Sequence, residues 1–139
     1  MPEYGRYEKL PRPESIDKFI DYLRSNKRII SSVTQEGEQL VNINRLQKPP
    51  LLVFMTNIYI VGLADVLEIL TQNDNLGTIV TMSEWNGYTS EAKNYCREQR
   101  IGLFKFKEFL GAIYFDGDQY LNYISPEERE QKRRLGRRN

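Results

Sequence analysis

The densest set of side chains able to do chemistry lies in residues 78–113, TIVTMSEWNGYTSEAKNYCREQRIGLFKFKEFLGAI. An apolar run ends at Thr81-Met82-Ser83, and a loop bearing Trp85, Asn86, Tyr88 and Thr89 follows. Sheets of α/β proteins bind ligands at the carboxyl ends of their strands. An exposed aromatic there could stack on a base, and Asn86 and Thr89 could hydrogen-bond it. The plainer alternative is structural. Asn86-Gly87 makes a turn, Thr89 caps a helix and Trp85 covers the rim of the core.

The remaining reactive residues are sparse. Histidine is absent, which removes Ser-His-Asp and Cys-His catalysis in their usual forms, along with His-ligated zinc, iron and copper. Any metal would be a hard cation on carboxylates and carbonyls. Asp65, Asp74, Glu84, Asp116 and Asp118 stand near element ends, where helix caps and turns use such residues, and Glu36 and Glu38 fall in a turn. Cys96 sits on an apolar helical stripe and reads as a small buried hydrophobe. Two Glu-x-Lys triplets occur, Glu91-Ala92-Lys93 on a helix and Glu130-Gln131-Lys132 in the tail. No glycine-rich phosphate loop is present, since Gly62 stands alone before its helix. These residues imply no cofactor and no metal site.

The elements that must position these residues follow from periodicity. Residues 1–13 read as an extended arm, 14–124 as a single α/β domain, and 125–139 as a basic C-terminal helix and tail. Ile16, Phe19, Ile20 and Leu23 form one helical face over about 15–25, with Ser15 as the expected cap. RIISSVT and LVNINRL, joined through QEGEQ, form a hairpin with one wet face. LLVFM (51–55) and TIVTM (78–82) are unbroken apolar runs, the pattern of strands covered on both faces. NIYIV (57–61) extends or restarts the first of them. A helix over 62–72 presents Leu63, Val66, Leu67 and Leu70, and a third helix begins at Thr89 with Ala92, Tyr95 and Cys96 inward. LFKFK (103–107) alternates as an edge strand with Phe104 and Phe106 inward and outward lysines that discourage edge pairing. Ser125-Pro126-Glu127-Glu128 opens a final helix, Gly136 ends it, and Leu135 is its only apolar residue. Alternating strands and helices imply parallel crossovers.

Charge is unevenly placed. The whole chain carries +1, but residues 127–139 alone carry +3 and leave the body at −2. Lys132, Arg133, Arg134, Arg137 and Arg138 in this tail are candidate nucleic-acid contacts. No apolar run approaches the roughly 20 residues of a membrane span, so no membrane partner is expected. The start of the chain has no apolar signal core, and one cysteine suits a reducing compartment, which together point to the cytoplasm.

This order of helix, hairpin, third strand and then helix–strand–helix–strand resembles the restriction-endonuclease fold. Residues 61–110 in particular resemble the second half of Mrr-type restriction endonuclease domains, with Val80-Thr81, Thr89, Ala92 and Ile101 to Phe106 matching that scheme. The resemblance implies a three-layer core whose mixed sheet combines an antiparallel hairpin with a parallel βαβαβ half. It also implies a metal-binding acid after the hairpin's first strand and a Glu-or-Gln-x-Lys on the third strand. Met55-Thr56-Asn57 stand where the triplet belongs and supply neither charge nor metal ligand. Asn57 remains a candidate binding residue at that strand end.

The expected function is therefore a non-catalytic binding protein with a degenerate restriction-endonuclease-like fold. It would contact nucleic acid through the basic tail, or a protein partner or a second copy of itself. Two alternatives stand beside it. One is an active magnesium-dependent nuclease with displaced carboxylates, which requires two or three carboxylates and a lysine to converge. The other is a Rossmann-like small-ligand module, which requires an apolar pocket beside residues 81–89.

Overall fold

The computed structural model describes residues 9–137. Most of the expected N-terminal arm, and Arg138 of the tail, lie outside the described residues.

Helix α1 (Pro13–Ser25) buries Ile16, Phe19, Ile20 and Leu23. It starts earlier than the periodicity suggests. Pro13, with its fixed φ, occupies the first turn and Arg12 is the N-cap, so Ser15 lies inside the helix rather than capping it. Strands β1 (Ile30–Gln35), β2 (Leu40–Arg45) and β3 (Leu51–Thr56) form an antiparallel meander. A register shift between Ile30 and Ser32 interrupts the alternation of β1.

The two unbroken apolar runs are neighbours. Strand β3 pairs in parallel with β5 (Thr78–Thr81), Val53 opposite Thr78 and Thr56 opposite Thr81, and helix α2 (Leu63–Gln72) makes the crossover. Strand β5 pairs in parallel with β7 (Gly102–Lys105) through helix α3 (Ser90–Glu98). The sheet order is β1-β2-β3-β5-β7, which puts β3 and β5 inside and β7 on the edge. The fold is α/β with a five-stranded mixed sheet.

Both faces of the sheet are covered. Helices α1, α4 (Phe106–Ala112) and α5 (Gly117–Leu121) close one core, around Phe19, Leu23, Ile43, Met55, Phe104 and Phe109. Helices α2 and α3 close the other, around Phe54, Val66, Ile69, Ile79, Cys96 and Leu103. Each such fully buried apolar side chain contributes about 1.5–3 kcal/mol.

Three local expectations are corrected. In α2 the buried stripe is Val66 and Ile69, while Leu67 is exposed. The alternation in LFKFK stops at Lys105. Glu108 accepts from the Lys105 backbone N–H at 2.9 Å, and this cap turns Phe106 and Lys107 into the first turn of α4. Finally, of the two options for NIYIV, it restarts as a strand and does not extend β3. The chain breaks after Thr56, and β4 (Ile60–Val61) pairs in parallel with β6 (Gly87–Tyr88) as a separate two-stranded sheet.

A charged residue holds one corner. Arg45, at the end of β2, is buried. Its Nε donates to the Pro49 carbonyl at 3.0 Å, and its Nη1 to Ile113 and Phe115 carbonyls at 3.2 and 2.7 Å. The last helix, α6 (Pro126–Arg137), continues through Gly136, which is therefore not its terminator. Among the described residues, no helix is long and apolar enough to cross a membrane.

Candidate functional site

The parallel strands β3, β5 and β7 send their carboxyl ends to one side of the sheet, and the loops there divide the candidate residues into two groups. The first group is structural. Asn57 Oδ1 accepts hydrogen bonds from Ser83 Oγ and, at 3.0 Å, from Asn86 Nδ2. Asn86 Nδ2 also reaches Thr81 Oγ1 at 3.0 Å, and the Thr81 hydroxyl donates to the Ile58 carbonyl at 2.8 Å. Asn86 is buried, so its amide is committed to joining the β3 and β5 loops. Thr89 caps α3, accepting from Ala92 N–H at 3.1 Å. Asp65 acts in the reverse sense at α2, its carboxylate in the first turn accepting from the N-cap Gly62 N–H at 2.9 Å.

The second group faces solvent. Trp85 is 74% exposed and Tyr59 63%, so Trp85 does not cover the core rim. Glu84, beside Trp85, pairs with Lys107 at 3.7 Å. Ser83 and Glu84 form one side of a groove of about 600 Å³, whose other side is α6 with Glu127, Glu128 and Gln131. Lys105 and Glu108 form its floor.

Beneath this groove is a cluster of titratable groups that periodicity does not disclose. Glu108 is buried, 2% exposed, and accepts the Tyr88 hydroxyl with both carboxylate oxygens, at 2.8 and 3.0 Å. Burial, reinforced by that acid, raises the Tyr88 phenol above its ordinary value. Tyr88 is therefore a positioned hydrogen-bond donor rather than a free stacking platform. Glu128, on α6, lines the same groove and forms an ion pair with Lys105 at 3.9 Å, and burial first, then the neighbouring Glu108, raise its carboxyl above the ordinary value.

Lys93 is the other surprise. It lies on the inward face of α3 with Ala92 and Cys96, and is 5% exposed. Its Nζ donates to the Leu103 carbonyl and stands 4.2 Å from the Phe104 ring centroid and 5.2 Å from that of Tyr88. Burial pushes its pKa down to about 8 despite the nearby Glu108. The Glu91-Ala92-Lys93 triplet thus contributes its lysine to a helix–sheet interface. Cys96 is buried as expected, and burial pushes its thiol up to about 11.

The end of β3, Met55-Thr56 with Asn57 after it, carries no acid. Met55 is fully buried in the core, and the Thr56 hydroxyl donates to the Lys9 carbonyl at 3.2 Å. Glu36 and Glu38 are exposed in the β1–β2 turn. Among the described residues, no three Asp, Glu, Cys or His side chains gather as a metal site. Two carboxyls do line the groove beside a lysine, Glu108 and Glu128 with Lys105, although the sequence marks Glu128 only as a helix-start residue and Glu108 not at all.

The tail cations are displayed on α6. Arg133 and Arg134 each lie 3.6 Å from Glu130, and Lys132 borders a second, smaller cavity against α3. Arg137 lies in the last turn. No protein-family model, no curated protein and no solved structure matches this chain.

Proposed function

We propose that the chain is a non-catalytic nucleic-acid-binding module on a restriction-endonuclease-like scaffold. The observation that carries this reading is the groove at the carboxyl ends of β5 and β7. Its one wall leads into the exposed Trp85 and its other is the first half of α6, beyond which the same helix carries Lys132, Arg133 and Arg134. Trp85 would stack on a base while Lys132, Arg133 and Arg134 neutralise backbone phosphates. The element order supports the scaffold, and the burial of Met55 together with the engaged side chains of Thr56 and Asn57 supports the loss of the scaffold's metal chemistry.

Trp85 is the only tryptophan, so its emission reports on binding directly. Titration with single- and double-stranded DNA and RNA should change that emission. Three phosphate contacts should give a log–log salt slope of about −2 to −3. Unchanged emission and no retardation at low salt would overturn the reading.

A second reading is favoured by Glu108 and Glu128 converging beside Lys105: a magnesium-dependent nuclease with displaced carboxylates. Cleavage in magnesium or manganese that disappears in Glu108→Gln would establish it and overturn the non-catalytic assignment.

A further inference from the structure

The smaller cavity between α3 and α6, about 240 Å³, differs in character from the groove beside it. Lys93, Arg97 and Lys132 line it, against Glu128 as its one acid. None of the three cations forms an ion pair among the described residues. Arg97 donates from Nη1 to Asn94 Oδ1 at 3.3 Å, while its Nε is enclosed without a hydrogen-bond partner. Lys93 is buried, Arg97 half-buried and Lys132 exposed, and cationic groups taken out of water are ordinarily matched by anions, because desolvating them otherwise costs free energy. The one acid present is shared with Lys105, with which it pairs at 3.9 Å. Ser90, in the first turn of α3, also lines the cavity, where unsatisfied helix N–H groups favour an anion.

We propose that this cavity is a binding site for a phosphate monoester. Arg97 and Lys132 contact the anion, Ser90 donates to it, and Lys93 adds positive charge from the wall. The space equals roughly eight water volumes, enough for a phosphate group and part of a sugar. Three cations against one acid suit a dianion better than a diester. The ligand is the terminal phosphate of a nucleic acid, which rests on the reading above, or a free phosphorylated small molecule, which does not.

The test begins with inorganic phosphate on the full chain, followed by melting temperature and by NMR of the lysine side chains at constant ionic strength. Millimolar phosphate should raise the melting temperature and raise the Lys93 pKa from its value of about 8. Arg97→Gln and Lys132→Gln should each weaken phosphate binding by about tenfold or more. Because Lys132 is exposed, its variant should fold. No response beyond that to chloride, or a response unchanged in both variants, overturns the site. A 5′-phosphorylated oligonucleotide should then bind about tenfold tighter than its 5′-hydroxyl twin. If the two bind equally while inorganic phosphate still binds, the site stands and belongs to a free phosphorylated molecule. The nucleic-acid reading is judged separately, by Trp85 emission.

Discussion

Glu128, on the helix that closes the groove, pairs at 3.9 Å with Lys105, whose own backbone N–H is capped by Glu108, an acid buried at the start of α4. The last helix is thus held to the body at a point where two carboxyls flank one lysine. Burial first, and the neighbouring Glu108 second, hold the Glu128 carboxyl above its ordinary value of 4.5.

A carboxyl whose pKa is raised by folding favours the folded state while it is protonated. That contribution is full below the ordinary carboxylate range and is lost as pH rises through the raised value. The seating of α6 should therefore loosen between mildly acidic and neutral pH. Glu128→Gln keeps a hydrogen-bonding side chain without a charge. Its melting temperature should exceed that of the wild type at neutral pH and lose the advantage in acid. Parallel pH profiles for the two proteins would refute this account.

Lys93 should show the opposite trend. Its folded pKa, about 8, lies below its ordinary 10.5, so the protonated form is the disfavoured one in the fold. The penalty is full below the lower value and is relieved as pH rises towards the higher. Lys93→Met should flatten the stability profile across this range. At neutral pH the net change should be small, because the relief is offset by about 1–3 kcal/mol for the unpaired Leu103 carbonyl. Urea melts across alkaline pH measure both effects.

The loop residues should separate by role. Asn86→Ala leaves Asn57 and Thr81 without their shared donor and should cost about 1–3 kcal/mol in chemical denaturation. Trp85→Ala, at an exposed position, should change stability by no more than about 0.5 kcal/mol while abolishing stacking. A Trp85 variant as destabilised as the Asn86 variant would make the aromatic part of the framework.

Gly111 offers a test in which two effects of opposite sign compete. Replacing a helix glycine by alanine ordinarily stabilises by about 1 kcal/mol. Here the added methyl would collide with the Tyr123 ring, directly upstream of α6. Gly111→Ala should therefore destabilise by about 1–3 kcal/mol, and the sign should reverse in a Tyr123→Ala background.

The sheet was the legible part of the sequence. LLVFM and TIVTM carry no charge and are buried on both faces, and that pattern, with the helix between them, makes them central, parallel neighbours. Thr89 is legible for a local reason, since its bond to Ala92 spans three residues. Lys105–Lys107 misleads because a strand's alternation and a helix's first turn look alike over five residues, and Glu108, just beyond, decides the matter. Lys93 is hidden because a lysine on a helix reads as solvated, whereas here aromatic faces and one carbonyl receive it. Glu108 and Glu128 meet only through the placement of α6, so no spacing rule brings them together.

Arg45 has a consequence for the chain during its synthesis. Two of the carbonyls that receive its guanidinium lie 68 and 70 residues downstream. By the time Lys105 has emerged from the ribosome every strand exists, but Ile113 and Phe115 do not. A guanidinium cannot shed its charge, so this corner stays hydrated until the final quarter of the chain arrives. Sheet assembly and core closure become separate events, with a partly wetted, sheet-complete species between them. A fragment ending at residue 105 would be trapped at that stage, with the part of the sheet face that α4 and α5 cover left open to aggregation.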